Sequence, residues 1–289
     1  MHLLTYSNVF FYTMNFSTLQ SLIPKLGYQL QLFLTALMFY TRIPVPKWVG
    51  YSDEQLNKSS IYFPLIGWLV GAMAAFIFWA SEFLFSHYVA IILSMIATIL
   101  MTGAFHEDGF ADVCDGFGGG WNKMKILEIM KDSRIGAYGM IGTALLLLLK
   151  YTALVTIFDF MATNLDNSFW IIFLIGHSLS RFIALTFVYS HDYVREDLLS
   201  KAKPIGKKIS ASEIIISSIF GFLPIFLFSP WAVGALVIAP LFILKFYLGY
   251  YFKKWIGGYT GDCLGATQQI SEVVIYLYFI GVLKFLGNL

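Results

Sequence analysis

Seven long apolar stretches dominate the sequence and limit what the chain can fold into. Each is close to the roughly 20 residues that an α-helix needs to cross the hydrocarbon core of a bilayer. Composition agrees, because 58% of the residues are hydrophobic and only 12% are charged. A water-soluble fold of this length could not cover so much apolar surface. The stretches are 61–80, 88–105, 137–158, 168–189, 213–229, 231–249 and 268–287.

We therefore predict an all-α fold, a polytopic transmembrane helical bundle of about seven spans that contacts the lipid bilayer. A further apolar segment, 28–41, is too short to span comfortably and is interpreted as an N-terminal interfacial or re-entrant helix. Residues 1–27 are interpreted as a poorly specified leader, and residues 28–289 as a single integral membrane catalytic domain. We expect no nucleic-acid partner, and a homo-oligomer is left open.

The distribution of basic residues predicts the orientation of the bundle. The short connections 81–87, 159–167 and 229–230 contain no Lys or Arg. Under the positive-inside rule, the long basic loops are cytoplasmic and the short connections face outward. We expect the protein to be integral to the cytoplasmic (inner) membrane, with its active site on the cytoplasmic face. The long loops hold Lys123, Lys125, Lys131, Arg134, Arg195, Lys201, Lys203, Lys207, Lys208, Lys253 and Lys254.

Two predicted spans contain a basic residue, Lys150 and Arg181. A charge at membrane depth is costly, and it usually faces the bundle interior or water. Lys150 lies near the centre of its span, where snorkelling, a structural pair or a functional role are all open. Arg181 lies nearer the cytoplasmic end, after His177 and Ser180, where its side chain could reach a phosphate.

The first predicted cytoplasmic loop has the highest density of acidic residues. Six of the 17 acidic residues fall between positions 107 and 132. If the segment continues the preceding helix, Asp108, Asp112 and Asp115 stand at i, i+4 and i+7, which places their carboxylates on one helical face. These three aspartates, together with His106, are the candidate catalytic residues. His106 is interpreted as a general base or as a partner of a ligand.

Carboxylates this close repel one another unless a cation or protons compensate, and hard oxygen ligands suit Mg²⁺. The alternative is a solvated amphipathic loop. Glu128 and Asp132, again at i and i+4, form a second acidic group, and Arg134 after them is available for a phosphate oxygen. Asp262 lies on the same predicted side before the last span, either as a ligand or substrate contact or, with Thr260, as a helix cap. The candidate metal ligands are Glu107, Asp108, Asp112, Asp115, Glu128 and Asp132.

These residues form ordered motifs, and through them the chain resembles the cobalamin synthase family, the adenosylcobinamide-GDP ribazoletransferases. The resemblance runs from about residue 28 to 287. A single DGxxD pattern would not be specific, whereas several motifs at the right intervals are. The matching motifs are 39–46, 63–67, 106–116 (HEDGFADVCDG), 127–136 (LEIMKDSRIG), 180–181 and 260–265 (TGDCLG).

The resemblance implies the last step of the cobalamin nucleotide loop. Adenosylcobinamide-GDP and α-ribazole, or its 5′-phosphate, would give adenosylcobalamin, or its phosphate, and GMP with Mg²⁺. Asp108, Asp112 and Asp115 would hold the metal on the pyrophosphate, and Glu128 and Asp132 would complete that shell or a second one. Arg134 and Arg181 would then neutralise charge on the departing GMP. The base is an unligated carboxylate or His106.

Other classes share parts of this pattern. CDP-alcohol phosphotransferases also place acids in a DGxxA pattern, but they usually have Arg where this chain has Asp112. Polyprenyl transferases would show a second Asp-rich motif, whereas Asp262 stands alone. A transporter would place its acids near the midplane, often in repeated halves. Here the acids collect at one predicted face and no internal repeat is evident.

Overall fold

The computed structural model describes residues 16–163, 168–194, 208–227 and 231–287, and within these ranges the fold is all-α, as predicted. Three short 3₁₀ turns, at Lys47–Val49, Ser60–Tyr62 and Leu223–Leu227, connect helices. The helices are α1 (Phe16–Tyr40), α2 (Asp53–Ser59), α3 (Phe63–Glu82), α4 (His87–Thr102), α5 (Phe105–Gly119), α6 (Lys123–Ile129), α7 (Ala137–Thr163), α8 (Phe169–Ser190), α9 (Ala211–Phe222), α10 (Trp231–Ala235), α11 (Ile238–Ile256) and α12 (Gly261–Gly287).

Each predicted span contains a helix, but the count of seven spans is not confirmed. Within the described ranges, four helices are long and apolar enough to cross a membrane: 53–82, which includes α3, and α7, α8 and α12. The bent pair of α4 and α5 makes a fifth if it is one span. The helix at 211–227 is apolar but shorter. By length and composition these helices indicate an integral membrane protein, and they leave the number of crossings open.

Helix α8 occupies the centre of the bundle. In its apolar segment of 18 residues, 94% of the residues are buried inside the protein. Glycines on α3 let it approach closely. A Cβ atom added at Gly71 would lie 2.8 Å from the Phe173 carbonyl oxygen, and one at Gly67 would collide with the His177 backbone. Such contacts between helix backbones are typical of membrane bundles, which gain little from apolar burial. The close packing fixes the polar face of α8.

A sharp bend separates α4 from the acidic helix α5. Gly103 (φ 70°) and Ala104 (φ 58°) both adopt left-handed backbone conformations, and the two helices meet at 88°. A left-handed conformation is rare for a residue with a side chain. The Arg42 guanidinium occupies the space where a Cβ atom on Gly103 would lie. The acidic segment therefore does not continue the preceding helix, but it forms a helix of its own, which keeps the predicted spacing of the three aspartates.

Helix α1 includes most of the predicted interfacial segment. Residues 28–40 form its second half, while residues 16–27 of the predicted leader form its first half. Residues 1–15 lie outside the described residues. Gln31 of α1 donates a hydrogen bond to the Val49 carbonyl oxygen at 2.8 Å, which joins α1 to the turn before α2. The depth of this segment in the bilayer stays a prediction.

Candidate active site

The acidic face predicted from the spacing exists on α5, and its three aspartates differ in burial. Asp108 is exposed, Asp112 is half-buried and Asp115 is buried. They follow one another at one-turn intervals because α5 is helical throughout. In the part of the chain that the structure describes, no three Asp, Glu, His or Cys side chains are close enough to hold a metal ion by themselves.

Asp115 caps the next long helix. Its Oδ2 accepts the Gly136 backbone N–H at 2.7 Å, and its Oδ1 accepts the Gly139 N–H at 2.8 Å. The N-terminus of a helix has unpaired N–H donors and a positive dipole end, so a carboxylate is stabilised there. Only glycine fits at 136 and 139, since a Cβ atom at either would collide with this carboxylate. Asp115 thus anchors α5 to α7.

Helix α12 crosses α5 beside the acidic face. A Cβ atom at Gly109 would lie 3.0 Å from the Asp262 Cα atom, and one at Gly265 would lie 3.1 Å from the His106 carbonyl oxygen. The Thr260 hydroxyl accepts the Cys263 N–H at 3.3 Å, so Thr260 caps α12 as one interpretation held. Asp262, in the first turn, is thereby placed next to α5.

His106 lies on the inner side of α5 and is 2% exposed. Its ring is nearly parallel to that of Phe63, with centroids 5.7 Å apart, and Phe63 in turn stacks on Tyr40 at 4.1 Å. His106 Nε2 is buried and has no hydrogen-bond partner among the described residues. This nitrogen is therefore available to a bound molecule, and His106 lines a cavity together with Tyr40, Phe63 and Leu264.

The second acidic group pairs within its own segment. Glu128 accepts from Lys125 Nζ at 3.0 Å. Arg134 Nη2 donates to Asp132 Oδ2 at 2.6 Å, and Arg134 Nε donates to both oxygens of the same carboxylate. This pairing lowers the pKa of Asp132 to about 2. The structure joins this segment to α5 by packing, with Met130 and Ile126 against Gly116 and Gly120.

A second charged cluster lies inside the bundle, between α7, α8 and α12. Glu272 is 1% exposed and is surrounded by donors. Lys150 Nζ lies 3.2 Å from its Oε1, and Tyr276 donates its hydroxyl to the same oxygen at 3.1 Å. His177 Nδ1 and Gln268 Nε2 lie 3.4 Å and 2.8 Å from Oε2. The structural-pair interpretation of Lys150 is confirmed.

Glu272 is not among the residues predicted from the sequence. The sequence did indicate this residue, because an acidic side chain within the apolar stretch 268–287 is as unusual as Lys150 or Arg181 in their spans. A buried acid and a buried base on different spans are candidates for a pair, because either alone would be very costly. That Glu272 and Lys150 lie at the same level of the bundle becomes clear only when the helices are packed together.

Arg181 links this cluster to the aromatic surroundings of His106. The residue is 2% exposed, and its Nη1 donates to the His177 carbonyl oxygen at 2.8 Å. Its guanidinium carbon lies 5.7 Å from the centroid of the Phe63 ring, on which His106 also stacks. Arg181 Nε is buried without a hydrogen-bond partner in the described ranges. A donor nitrogen is therefore open to an incoming acceptor.

Comparison with known proteins agrees with this arrangement. The family model described as cobalamin-5-phosphate synthase matches residues 32–280. The chain belongs to this family. Two relatives named adenosylcobinamide-GDP ribazoletransferase, from Shewanella frigidimarina and Leptospira interrogans, are each 44% identical over 254 and 260 residues. The alignments cover 88% of this chain and 95% and 96% of those relatives. A relative of the same name from Ralstonia pickettii is 44% identical over 85% of this chain and 93% of its own length.

No solved structure matches the chain. Membership in the cobalamin-5-phosphate synthase family confirms the resemblance that the ordered motifs indicated. It makes the chain a transferase of cobalamin biosynthesis. The matched range contains all of the predicted site residues, from His106 to Asp262, and also Lys150 and Glu272.

Proposed function

We propose that this membrane protein transfers the adenosylcobinamide phosphoryl group from adenosylcobinamide-GDP to α-ribazole or its 5′-phosphate. The products would be adenosylcobalamin, or its 5′-phosphate, and GMP. The relatives named adenosylcobinamide-GDP ribazoletransferase support this reaction. The observation that carries it is the position of α5, on which Asp108 is exposed and Asp112 half-buried, while His106 of the same helix and Arg181 of α8 are buried inside the bundle.

Mg²⁺ is the metal that these donors fit. Asp108 and Asp112 present hard oxygen ligands one helical turn apart on the accessible face. Mg²⁺ usually binds one or two carboxylates and completes its octahedral shell with water and substrate phosphates. The two aspartates therefore match the number of protein carboxylates that Mg²⁺ usually binds. Bound there, Mg²⁺ would neutralise charge on the diphosphate.

The other predicted ligands make unequal contributions in this proposal. Glu107 has one buried carboxylate oxygen without a hydrogen-bond partner among the described residues. Asp115 already accepts two backbone N–H groups, so its main role is to hold α5 against α7. Glu128 and Asp132 are paired with Lys125 and Arg134 and would have to exchange those partners for the metal.

In the proposed reaction, a ribose hydroxyl of α-ribazole attacks the phosphorus attached to cobinamide. The bond from that phosphorus to the bridging oxygen breaks, and GMP leaves with the bonding electrons. The hydroxyl proton passes to a carboxylate of α5 or to His106. Arg181 and Arg134 would stabilise the negative charge on the phosphates, and Asp262 would contact the substrate. Such electrostatic stabilisation dominates phosphoryl transfer in general.

We further propose that the site faces the cytoplasm from the inner membrane. The support is the charge pattern, since α5, the segment after it and the start of α12 belong to the loops that carry Lys and Arg. Lys123, Lys253 and Lys254 are exposed near this end of the bundle. A cytoplasmic site would also meet nucleotide substrates where nucleotides are made.

Product analysis tests the proposal. The purified protein in nanodiscs is incubated with adenosylcobinamide-GDP and α-ribazole, with Mg²⁺ or with excess EDTA, and mass spectrometry follows GMP and the corrinoid product. We expect both products only with Mg²⁺. Parallel incubations with α-ribazole 5′-phosphate, a CDP-alcohol and a prenyl diphosphate identify the acceptor and the rival chemistries. Folded protein that forms no corrinoid product with either ribazole would contradict the proposal.

A further inference from the structure

Lys150 makes its shortest contact with an amide rather than with the carboxylate beside it. Its Nζ donates to Gln269 Oε1 at 2.7 Å, whereas Glu272 Oε1 is 3.2 Å away. Lys150 is 5% exposed and Gln269 is 2% exposed. An ammonium group only donates hydrogen bonds, so the amide oxygen must face it. Lys150 thereby selects one of the two orientations that the Gln269 amide could adopt.

The opposite end of the Gln269 amide faces α5. Its Nε2 donates to Glu107 Oε1 at 2.9 Å and also to Gln268 Oε1 at 2.9 Å. A chain of hydrogen bonds therefore runs from Lys150 on α7, through Gln269 on α12, to Glu107 on α5. Glu107 directly precedes Asp108 in sequence, so this chain ends at the acidic helix.

The far oxygen of Glu107 has no such partner. Glu107 Oε2 is buried and has no hydrogen bond within the described ranges, and the same holds for His106 Nε2 and Arg181 Nε. Arg181 also lies within electrostatic reach of Glu107. Buried polar atoms without partners are costly, because they have lost water and gained nothing. Other buried atoms without partners occur elsewhere in the described ranges, but these three belong to ionisable side chains that the Phe63 ring and the attraction between Arg181 and Glu107 bring together. We take them as a place that a bound group completes.

We infer that Lys150 and Gln269 are positioning residues, which fix the Glu107 carboxylate by one oxygen and leave Oε2 to the group bound at the acidic helix. The inference rests on the proposed function. Lys150 and Glu272 would neutralise each other without Gln269, so the link to Glu107 is an added feature. Loss of such a support displaces a reacting group by a fraction of an ångström, which lowers the rate more than it weakens binding of the large corrinoid.

A double-mutant cycle on kcat tests this inference. Gln269→Leu removes all three hydrogen bonds of the amide at nearly constant volume, and we expect kcat to fall about 10- to 100-fold while KM for adenosylcobinamide-GDP changes little. Glu107→Gln should lower kcat by at least as much. Because Gln269 acts through Glu107, the double variant should match Glu107→Gln alone. An equal further loss in the Glu107→Gln background would overturn the inference.

Gln268→Leu is the matched control. Gln268 is the neighbouring amide and is fully buried. It donates to Ser180 and Glu272 and accepts one hydrogen bond from Gln269, so Gln268→Leu leaves the bond from Gln269 to Glu107 in place. We expect Gln268→Leu to lower the thermal midpoint as Gln269→Leu does while retaining most of kcat. Lys150→Arg, which keeps a cation, should retain more activity than Lys150→Met. If Gln268→Leu loses kcat as severely as Gln269→Leu, the effect is structural and the inference fails.

Binding of Mn²⁺, followed by electron paramagnetic resonance, separates this inference from the proposed function. Wild-type protein that forms no product contradicts the proposed function, and the same variants are then compared by their Mn²⁺ affinity. Non-additive weakening by Gln269→Leu and Glu107→Gln, with Gln268→Leu unchanged, would still support the positioning chain. Equal affinity in the wild type, the three single variants and the Gln269→Leu/Glu107→Gln double variant, together with absent turnover, would overturn it.

Discussion

The molecule carries two charged regions that differ in their relation to water. The face of α5 that bears Asp108 and Asp112 is accessible, whereas Glu272, Lys150, His177 and Arg181 are enclosed by the helices. Accessible acids are inexpensive to ionise and can exchange water for a metal or a phosphate. Enclosed charges must be compensated within the fold, so each has partners at hydrogen-bond distance. We expect the first region to bind the metal and the phosphates. The second holds the helices in one arrangement and, in the proposals above, supports the first through Arg181 and Lys150.

The largest effect is expected from removal of the accessible charges. In Asp108→Asn and Asp112→Asn, turnover should fall about 10³-fold or more, as when a metal or charge contact is lost from other phosphoryl-transfer sites. The thermal midpoint should change little, because Asp108 is exposed and Asp112 is half-buried. Product formation and thermal unfolding measured on the same preparations check this. Retained activity in both variants would assign the chemistry elsewhere.

Substitutions in the enclosed cluster should lower stability as well as activity. Lys150→Met leaves Glu272 short of one cation, and breaking a buried pair in this way costs about 3–5 kcal/mol. The thermal midpoint in nanodiscs should fall accordingly. Combining it with Glu272→Gln removes one positive and one negative charge together, so most of the lost stability should return. A double variant no more stable than Lys150→Met would show that the pair does not set the stability of this region.

Asp115 lies between the two regions and tests whether its carboxylate serves structure or chemistry. Asp115→Ala removes the acceptor for the Gly136 and Gly139 N–H groups, and loss of a helix cap costs about 1–2 kcal/mol. Asp115→Asn keeps one carbonyl oxygen and should lose less stability. If Asp115→Asn is as stable as the wild type but inactive, the carboxylate also takes part in the reaction.

The smallest effect concerns the exposed pair of Asp132 and Arg134. The guanidinium holds the pKa of Asp132 at about 2, so the pairing is fully present above pH about 4 and is lost as the pH falls through 2. Arg134→Gln should return this pKa to about 4. Nuclear magnetic resonance of ¹³C-labelled aspartate side chains measures it. A pKa near 4 in the wild type would show that the pair does not form.

The accessible region was largely predictable from the sequence, because its signal is local. Asp108, Asp112 and Asp115 repeat at helical spacing within eight residues, and the motifs around them indicate the family. The helices also followed from apolar stretches. What these patterns missed is non-local: the role of Asp115 depends on glycines 21 and 24 residues away. Propensity did not indicate the bend at Ala104, because tertiary packing holds that residue in a left-handed conformation.

Only part of the enclosed region could be predicted from the sequence. Lys150 and Arg181 stood out as cations in apolar stretches, but Glu272 was passed over and the bond from Gln269 to Glu107 spans 162 residues. Sequence alone cannot tell which faces of α7, α8 and α12 meet, because the spans are apolar on nearly all sides. Side-chain packing decides which polar residues share an interior.

The most direct test of the central claim measures Mn²⁺ binding by electron paramagnetic resonance in three proteins: wild type, Asp108→Asn/Asp112→Asn, and Gln268→Leu. The account predicts that wild type and Gln268→Leu bind Mn²⁺ in the presence of adenosylcobinamide-GDP, and that the double aspartate variant does not while remaining folded. Equal Mn²⁺ binding by all three proteins would contradict it, because the accessible face of α5 would then not be the metal site.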